Sequence, residues 1–194
     1  MTTYGLTPKG CQLQDVVKAL KEVDLDDFLL EMPHPCLLEI PSEGPLPLEL
    51  GFPGQAAAGG DEKEEEGDPL ATVKVNVGEI ANLRRSRSMQ NAQVHLLAPS
   101  EEGQPVSIGR AEECVVMLTS EGVSRQHAKL HMAAGNWMLE DLGSHNGTIV
   151  DGNEVPSGTK VGLNDRHQIL FGNYRCVFMT PERLFDLASM LGGR

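Results

Sequence analysis

The sequence predicts an all-β sandwich over residues 92–180, preceded by a helical, partly disordered N-terminal extension and followed by a short C-terminal helix. Three observations support this fold class. From residue 92 onward, short β-prone runs follow one another with turn signals between them. Residues 11–31 instead repeat apolar side chains at intervals of three and four. Hydrophobic residues make up 40% of the 194 residues, which is enough for a packed core.

The N-terminal segment, residues 1–51, is predicted to be mainly helical. One face of a helix collects the apolar residues Leu13, Val16, Val17, Leu20 and Val23. Asp24 is placed to cap a second short helix, Pro33 and Pro35 end it, and Cys36–Ile40 is an apolar run typical of a strand. The apolar face either packs on the sandwich or serves as a docking surface for another protein.

Two further segments separate this region from the sandwich. Residues 52–69 are predicted to form an acidic flexible linker, because Gly and Pro interrupt regular structure and the charges at 61–68 repel one another. Residues 70–91 are predicted to be extended and basic, with a strand at Ala71–Val77. This segment contains Arg84, Arg85 and Arg87 interleaved with Ser86 and Ser88. Such a pattern is typical of a solvated strand or loop, or of a target of a basophilic kinase.

The sandwich is predicted from eight apolar or alternating runs, namely Gln93–Leu97, Val106–Ile108, Cys114–Leu118, His127–Met132, Trp137–Leu139, Thr148–Val150, Gln168–Phe171 and Tyr174–Met179. Asp151-Gly152 and Gly172-Asn173 are two-residue hairpin signals. Residues 181–194 are predicted to form a helix, because Thr180 suits an N-cap and Pro181 suits the first helical position.

Composition excludes several classes of function. The formal net charge is −12, and residues 1–91 hold 16 acidic against 8 basic side chains. Such a chain lacks the basic surface that nucleic acids and anionic membranes require. It shows neither a signal-peptide layout nor an apolar run of about 18 residues, so a cytoplasmic protein is expected. The four cysteines lie at no metal-ligand spacing, and we predict neither a metal nor a cofactor.

Three polar motifs fall on predicted loops, ahead of or behind strands. They are Gly109-Arg110, Ser124-Arg125-Gln126-His127 and Ser144-His145-Asn146-Gly147-Thr148. Together they supply guanidinium groups, hydroxyls and an amide, which are the groups that a phosphate favours. No nucleophile set, metal set or phosphate-cradling glycine loop accompanies them, so the sequence predicts an anion-binding site and not an enzyme.

These motifs, in this order, resemble the signature of forkhead-associated (FHA) domains, and the N-terminal extension resembles those of bacterial FHA proteins. The resemblance covers residues 92–180 and implies an 11-strand sandwich that binds phosphothreonine peptides through its apical loops. It implies contacts with the phosphopeptide for Arg110, Ser124, Arg125, His145 and Asn146. His145 departs from the Ser, Thr or Lys common there. It implies structural roles for Gly109, His127 and Gly147.

The sequence thus predicts a non-catalytic phosphothreonine-binding module in signal transduction. The expected partner is a phosphothreonine-containing protein such as a Ser/Thr kinase or its substrate. The alternative is a scaffold of the same fold that makes phosphate-independent contacts or associates with itself. The acidic tract, or phosphorylated Thr72, Ser86 or Ser88, is further predicted to compete with outside ligands for the site.

Overall fold

The computed structural model describes residues 4–40, 91–101 and 103–193. The predicted linker at 52–69, the strand at Ala71–Val77, the arginines at 84–87 and the three candidate phosphorylation sites lie outside the described residues. In the part of the chain that is described, no helix is long and apolar enough to cross a membrane.

The described residues form twelve strands and three helices. The strands are β1 (Cys11–Gln12), β2 (Cys36–Glu39), β3 (Gln93–Leu96), β4 (Val106–Gly109), β5 (Val116–Met117), β6 (Ala128–Ala133), β7 (Asn136–Asp141), β8 (Thr148–Val150), β9 (Asn153–Glu154), β10 (Lys160–Leu163), β11 (Gln168–Phe171) and β12 (Tyr174–Met179). The helices are α1 (Leu13–Ala19), α2 (Leu25–Glu31) and α3 (Pro181–Gly192).

The strands build two sheets that pack face to face. The seven-stranded sheet has the order β1-β3-β2-β12-β11-β8-β9, and the five-stranded sheet has the order β10-β7-β6-β4-β5. Neighbouring strands are antiparallel except β4 and β5, which are parallel. The predicted sandwich is confirmed, and the described residues contain one strand more than the 11 that the resemblance implied.

Strand β2 lies inside the seven-stranded sheet, although it precedes the predicted sandwich in sequence. It pairs with β12, where Leu38 faces Val177, and with β3, where Leu37 faces His95. Strand β1 adds a short edge by pairing with β3. The sandwich therefore takes strands from both sides of the acidic tract, whereas the sequence placed it at residues 92–180.

Alternation along the central strands produces two hydrophobic cores. Cys176 and Phe178 face the second sheet, while Val177 and Met179 face the helices. The three helices cover this outer face, and α3 contacts both α1 and α2. The apolar face of α1, with Leu13 and Val16 fully buried, therefore packs on the sandwich and on α3, as the first of the two interpretations expected.

Helix and turn signals explain most element boundaries. The predicted second helix is present, because the Asp24 side chain accepts the Asp27 N–H at the start of α2. The predicted helical segment differs at its beginning, where Cys11 and Gln12 pair with β3 as a short strand. The Thr180 side chain caps α3 in the same way, and Gly193 ends it in the left-handed conformation, with a φ of 87°.

The two hairpin signals form the expected turns. Asp151 and Gly152 join β8 to β9 with φ values of 48° and 80°, the two positive values of a type I′ turn. Gly172 and Asn173 join β11 to β12, and only the first has a positive φ, 61°. In both turns the positive φ values fall on glycine or on a short polar residue, the residue types that tolerate this conformation.

Candidate functional site

Four connections meet at one end of the sandwich. The 110–115 loop follows β4, the 118–127 segment follows β5, the 142–147 loop follows β7, and the Gly172-Asn173 turn joins β11 to β12. The Arg110 N–H donates to the Ser124 carbonyl at 2.9 Å, and the Asn146 amide Nδ2 donates to the Gly122 carbonyl at 2.9 Å. These bonds bring all three sequence motifs together.

Gly109 allows the close approach of the 110–115 loop to Arg125. A Cβ atom at this position would lie 2.3 Å from the Arg125 carbonyl oxygen and 3.0 Å from the Cys114 Sγ. The next residues, Arg110 and Ala111, donate their N–H groups to the carbonyls of Ser124 and Arg125. Any residue other than glycine would therefore separate the backbone of Arg110 from that of Arg125.

The Ser124 hydroxyl is held with its proton available to a ligand. Its Oγ accepts the backbone N–H of His145 at 3.0 Å. Since this bond uses a lone pair, the hydroxyl proton remains to be donated. The Ser124 N–H donates to Nδ1 of His127 at 3.0 Å, which fixes the backbone of the serine. The hydroxyl therefore presents a donor at the junction of two loops.

His127 connects the 118–127 segment to the 142–147 loop. Because its Nδ1 accepts an N–H, its Nε2 carries the ring proton and donates to the Gly147 carbonyl at 3.2 Å. The side chain is fully buried, and burial lowers its pKa, although the bond to Gly147 and the nearby Asp141 oppose this shift. The imidazole is thus a neutral structural connector.

Asp141 is the centre of the 142–147 loop, and the motif reasoning assigned it no role. Its Oδ1 accepts the N–H groups of Gly143 and Ser144 at 2.8 and 2.9 Å. Its Oδ2 accepts the hydroxyls of Ser144 and Thr148 at 2.7 and 2.5 Å. Burial raises the pKa of Asp141, but these four hydrogen bonds outweigh burial and leave it lowered. An Asp followed by Leu-Gly-Ser is an Asx-turn signal that could have identified it.

The two arginines line an open cleft of about 610 Å³ with Ala111, Glu112 and Glu113. Arg125 lies 3.7 Å from a carboxylate oxygen of Glu113, and both side chains are more than 70% exposed. Arg110 is exposed and forms no ion pair with any described residue. Sequence reasoning missed Glu113, since an exposed glutamate next to another carries no pattern.

Asn146 and Gly147 are placed by the Gly172-Asn173 turn. A Cβ at Gly172 would lie 2.1 Å from the Gly122 carbonyl oxygen and 3.3 Å from the Asn146 Cβ. The Gly172 N–H donates to the Gly147 carbonyl at 3.0 Å, and Gly147 itself has a φ of 74°. The side chain of Asn146 remains exposed at the apex.

All eight residues singled out in the sequence lie at this end. His145 donates its backbone N–H to the Ser124 hydroxyl while its side chain is exposed. Arg125 lies beside the Glu113 carboxylate. The contacts of these residues with a phosphopeptide stay predictions. Across the described ranges, no group of His, Cys, Asp and Glu could hold a metal ion.

Comparison with known proteins identifies the domain. Residues 106–172 match the family model of the FHA domain. The chain is 45% identical over 60 residues to FHA domain-containing protein FhaB of Mycobacterium tuberculosis, covering 31% of this chain and 39% of that protein. It is 32% identical over 83 residues to glycogen accumulation regulator GarA of Mycolicibacterium smegmatis, covering 43% and 51%. The chain thus spans only two fifths to one half of these relatives.

Among solved structures, the chain is similar to Mycobacterium tuberculosis EmbR in complex with a low-affinity phosphopeptide. The identity is 32%, the TM-score is 0.37, and the match covers 39% of this chain and 20% of that chain.

Proposed function

Because residues 106–172 form an FHA domain of the type found in mycobacterial FHA proteins, we propose that this chain binds phosphothreonine peptides at the apical loops. In this proposal Arg110 pairs with the phosphate and Ser124 donates its hydroxyl proton to it. Arg125 contacts the phosphate or the peptide backbone, and Asn146 holds the peptide main chain. The protein acts as a binding module without catalysis, in the cytoplasm, where Ser/Thr kinases supply the ligand.

One observation carries the proposal: a guanidinium that pairs with no described acid and a hydroxyl with an available proton lie on loops joined by a hydrogen bond. The Arg110 N–H donates to the Ser124 carbonyl, so the two side chains begin from adjacent backbone. A phosphate dianion accepts several hydrogen bonds, and bonds to a charged partner are each worth about 1.5–3 kcal/mol net. Fixed loops reduce the ordering cost of binding.

The two arginines of the cleft favour a dianion over a single carboxylate, although the neighbouring acids repel both ligands. Glu113 already lies beside Arg125, and Glu112 lines the same cleft. A ligand must therefore offset the repulsion of these carboxylates and displace an exposed, weak ion pair. A phosphate carries nearly two charges at neutral pH, whereas Asp or Glu in a peptide carries one. We expect an acidic replacement of phosphothreonine to bind poorly.

His145 adds a titratable side chain where many members of the family have a Ser, Thr or Lys. Its backbone N–H is committed to the Ser124 hydroxyl, and its ring is exposed beside Asn146. We propose that this exposed ring contacts the bound phosphopeptide.

Calorimetry with the full chain tests the proposal. A phosphothreonine peptide is compared with its unphosphorylated form, using wild type, Arg110→Ala and the charge-matched control Lys21→Ala. Lys21 is an exposed residue between α1 and α2, in the helical layer. Loss of the guanidinium should weaken binding at least about tenfold, while the control should not change it. Equal affinity for both peptides would reject the proposal in favour of the phosphate-independent scaffold.

A further inference from the structure

Lys9 of the N-terminal segment contacts the 110–115 loop at the candidate site. Lys9 lies more than a hundred residues before the 110–115 loop in sequence. Its ammonium Nζ donates to the carbonyl of Glu112 at 2.6 Å and to the carbonyl of Cys114 at 2.9 Å. Lys9 also lies outside residues 106–172, which match the family model. The contact is therefore an addition to the matched domain.

The backbone around Lys9 is itself fixed to the seven-stranded sheet. The Thr7 carbonyl accepts the N–H groups of Gly10 and Leu96 at 3.1 and 3.0 Å, and the Thr7 hydroxyl donates to the Gly10 carbonyl. Gly10 has a φ of 100°, and a Cβ there would lie 2.9 Å from the ring of His95. The ammonium group therefore extends from an anchored turn.

The 110–115 loop sets the relative position of the two arginines. The Cys114 thiol donates to the Arg125 carbonyl at 3.3 Å, and the Cys114 N–H donates to the Ala111 carbonyl at 3.1 Å. The Ala111 N–H also donates to the Arg125 carbonyl at 3.0 Å. A displacement of Cys114 would thus move the backbone of Arg125 and the carboxylate of Glu113 that faces it.

From these contacts we propose that Lys9 is a positioning residue for phosphopeptide binding. It donates hydrogen bonds to two carbonyls of the 110–115 loop, and these bonds keep Arg110 and Arg125 at the spacing that a phosphate requires. The inference rests on the proposed function, since it concerns the same site. Lys9 itself does not contact the ligand in this account. Its effect depends on two directed hydrogen bonds, and its charge alone would not replace them.

The test uses the full chain and three variants. Lys9→Met removes the ammonium and keeps the length of the side chain, and Lys9→Arg keeps the charge and the donors. Lys18→Met removes one charge from α1, where Lys18 pairs only with the exposed Asp15 among described residues. Hydrogen exchange of the Cys114 and Val115 amides, measured without ligand, reports the loop. Calorimetry with one phosphothreonine peptide at low and high salt reports binding.

In Lys9→Met we expect the two amides to exchange about tenfold faster, because the loop opens locally. The same variant should bind the peptide about fivefold more weakly at both salt concentrations, since lost preorganisation is not screened by salt. Lys9→Arg and Lys18→Met should resemble wild type in both measurements.

Unchanged amide exchange in Lys9→Met would overturn the proposal, and so would faster exchange with unchanged affinity. A weakening that disappears at high salt, or that Lys18→Met reproduces, would also overturn it, because a long-range charge effect would then be sufficient. If wild type binds no phosphothreonine peptide, the proposed function fails, and the exchange measurement still decides separately whether Lys9 holds the loop.

Discussion

Replacement of Asp141 by asparagine tests the structural basis of the apical loops most directly. Asp141 is 3% exposed, and its carboxylate accepts four hydrogen bonds, two from backbone N–H groups and two from hydroxyls. Asn has nearly the same shape and lacks the charge. Its Oδ1 keeps the two backbone bonds, while its Nδ2 faces the hydroxyls of Ser144 and Thr148, which must reverse their direction to accept.

The loss of stability in Asp141→Asn is estimated from the number of hydrogen bonds that the carboxylate accepts. A hydrogen bond to a charged group contributes about 1.5–3 kcal/mol net, against about 0.5–1.5 kcal/mol for a neutral pair. Two retained bonds therefore lose about 1 kcal/mol each, and the reversed pair adds up to about 1 kcal/mol more. We expect Asp141→Asn to lower the free energy of unfolding by about 2–3 kcal/mol at pH 7.

The pH dependence provides a second check. The pKa of Asp141 is lowered in the folded protein, so its stabilising effect is complete above the ordinary value of 3.8 and is lost as the pH falls through the folded value. Urea denaturation between pH 7 and pH 3 should show a constant gap between wild type and Asp141→Asn down to about pH 4, and a smaller gap below it.

The exposed Asp15 offers a matched control, because among the described residues it forms only a surface ion pair with Lys18. Asp15→Asn should change the free energy of unfolding by less than about 0.5 kcal/mol. If Asp141→Asn behaves like this control at pH 7, or if its gap does not respond to pH, the carboxylate is not the charged centre of the loop.

Three further predictions concern the ligand and the fold. A phosphothreonine peptide should bind about fivefold more tightly than the matched phosphoserine peptide. The resemblance implies a niche for the threonine methyl group, and one buried methyl is worth about 1 kcal/mol. Equal affinities in calorimetry would exclude the niche. Gly109→Ala should lower the free energy of unfolding by about 1–3 kcal/mol, since the new Cβ would lie 2.3 Å from the Arg125 carbonyl oxygen. Gly162→Ala is the control, because a Cβ there meets no atom within 4 Å, and urea denaturation should find it nearly neutral. Burial lowers the pKa of His95 to about 4, so the wild type should lose stability as the pH falls from 6.5 toward 4. His95→Gln keeps a polar group near the Tyr174 hydroxyl, and the stability advantage of the wild type over this variant should shrink over the same pH range. A pH-independent difference in stability would show that His95 does not titrate there.

Local signals in the sequence predicted much of the sandwich. Both hairpin turns, the Asp24 and Thr180 caps and the main strands are where turn chemistry and alternation placed them, because each depends on a few adjacent residues. The motif residues also meet at one end, as loops between predicted strands would suggest. Their roles toward a ligand stay predictions.

Long-range pairing was not accessible from the same signals. The run Cys36–Ile40 was correctly predicted as a strand, but its position between β3 and β12 depends on partners far away in sequence. The short strands β9 and β10 were missed: Asn153–Glu154 and Lys160–Leu163 are mostly exposed and polar or interrupted by glycine. At Cys114 the predicted strand is a turn, because its N–H is bonded to Ala111.

The location of β2 has consequences for any shortened version of the protein. A fragment that starts shortly before β3 would contain the whole region that matches the family, yet it would lack a central strand. Strands β3 and β12 would then each present an unpaired edge, and the face carrying Val177 and Met179 would lose the cover of α1 and α2. Such edges favour aggregation.

The same arrangement makes the completion of this sheet wait for the synthesis of β12. During synthesis, β2 leaves the ribosome about 135 residues before its partner β12, so a pairing of this separation closes late and slowly. Until then β2 can pair with β3, but its other edge stays unpaired and is open to binding by chaperones.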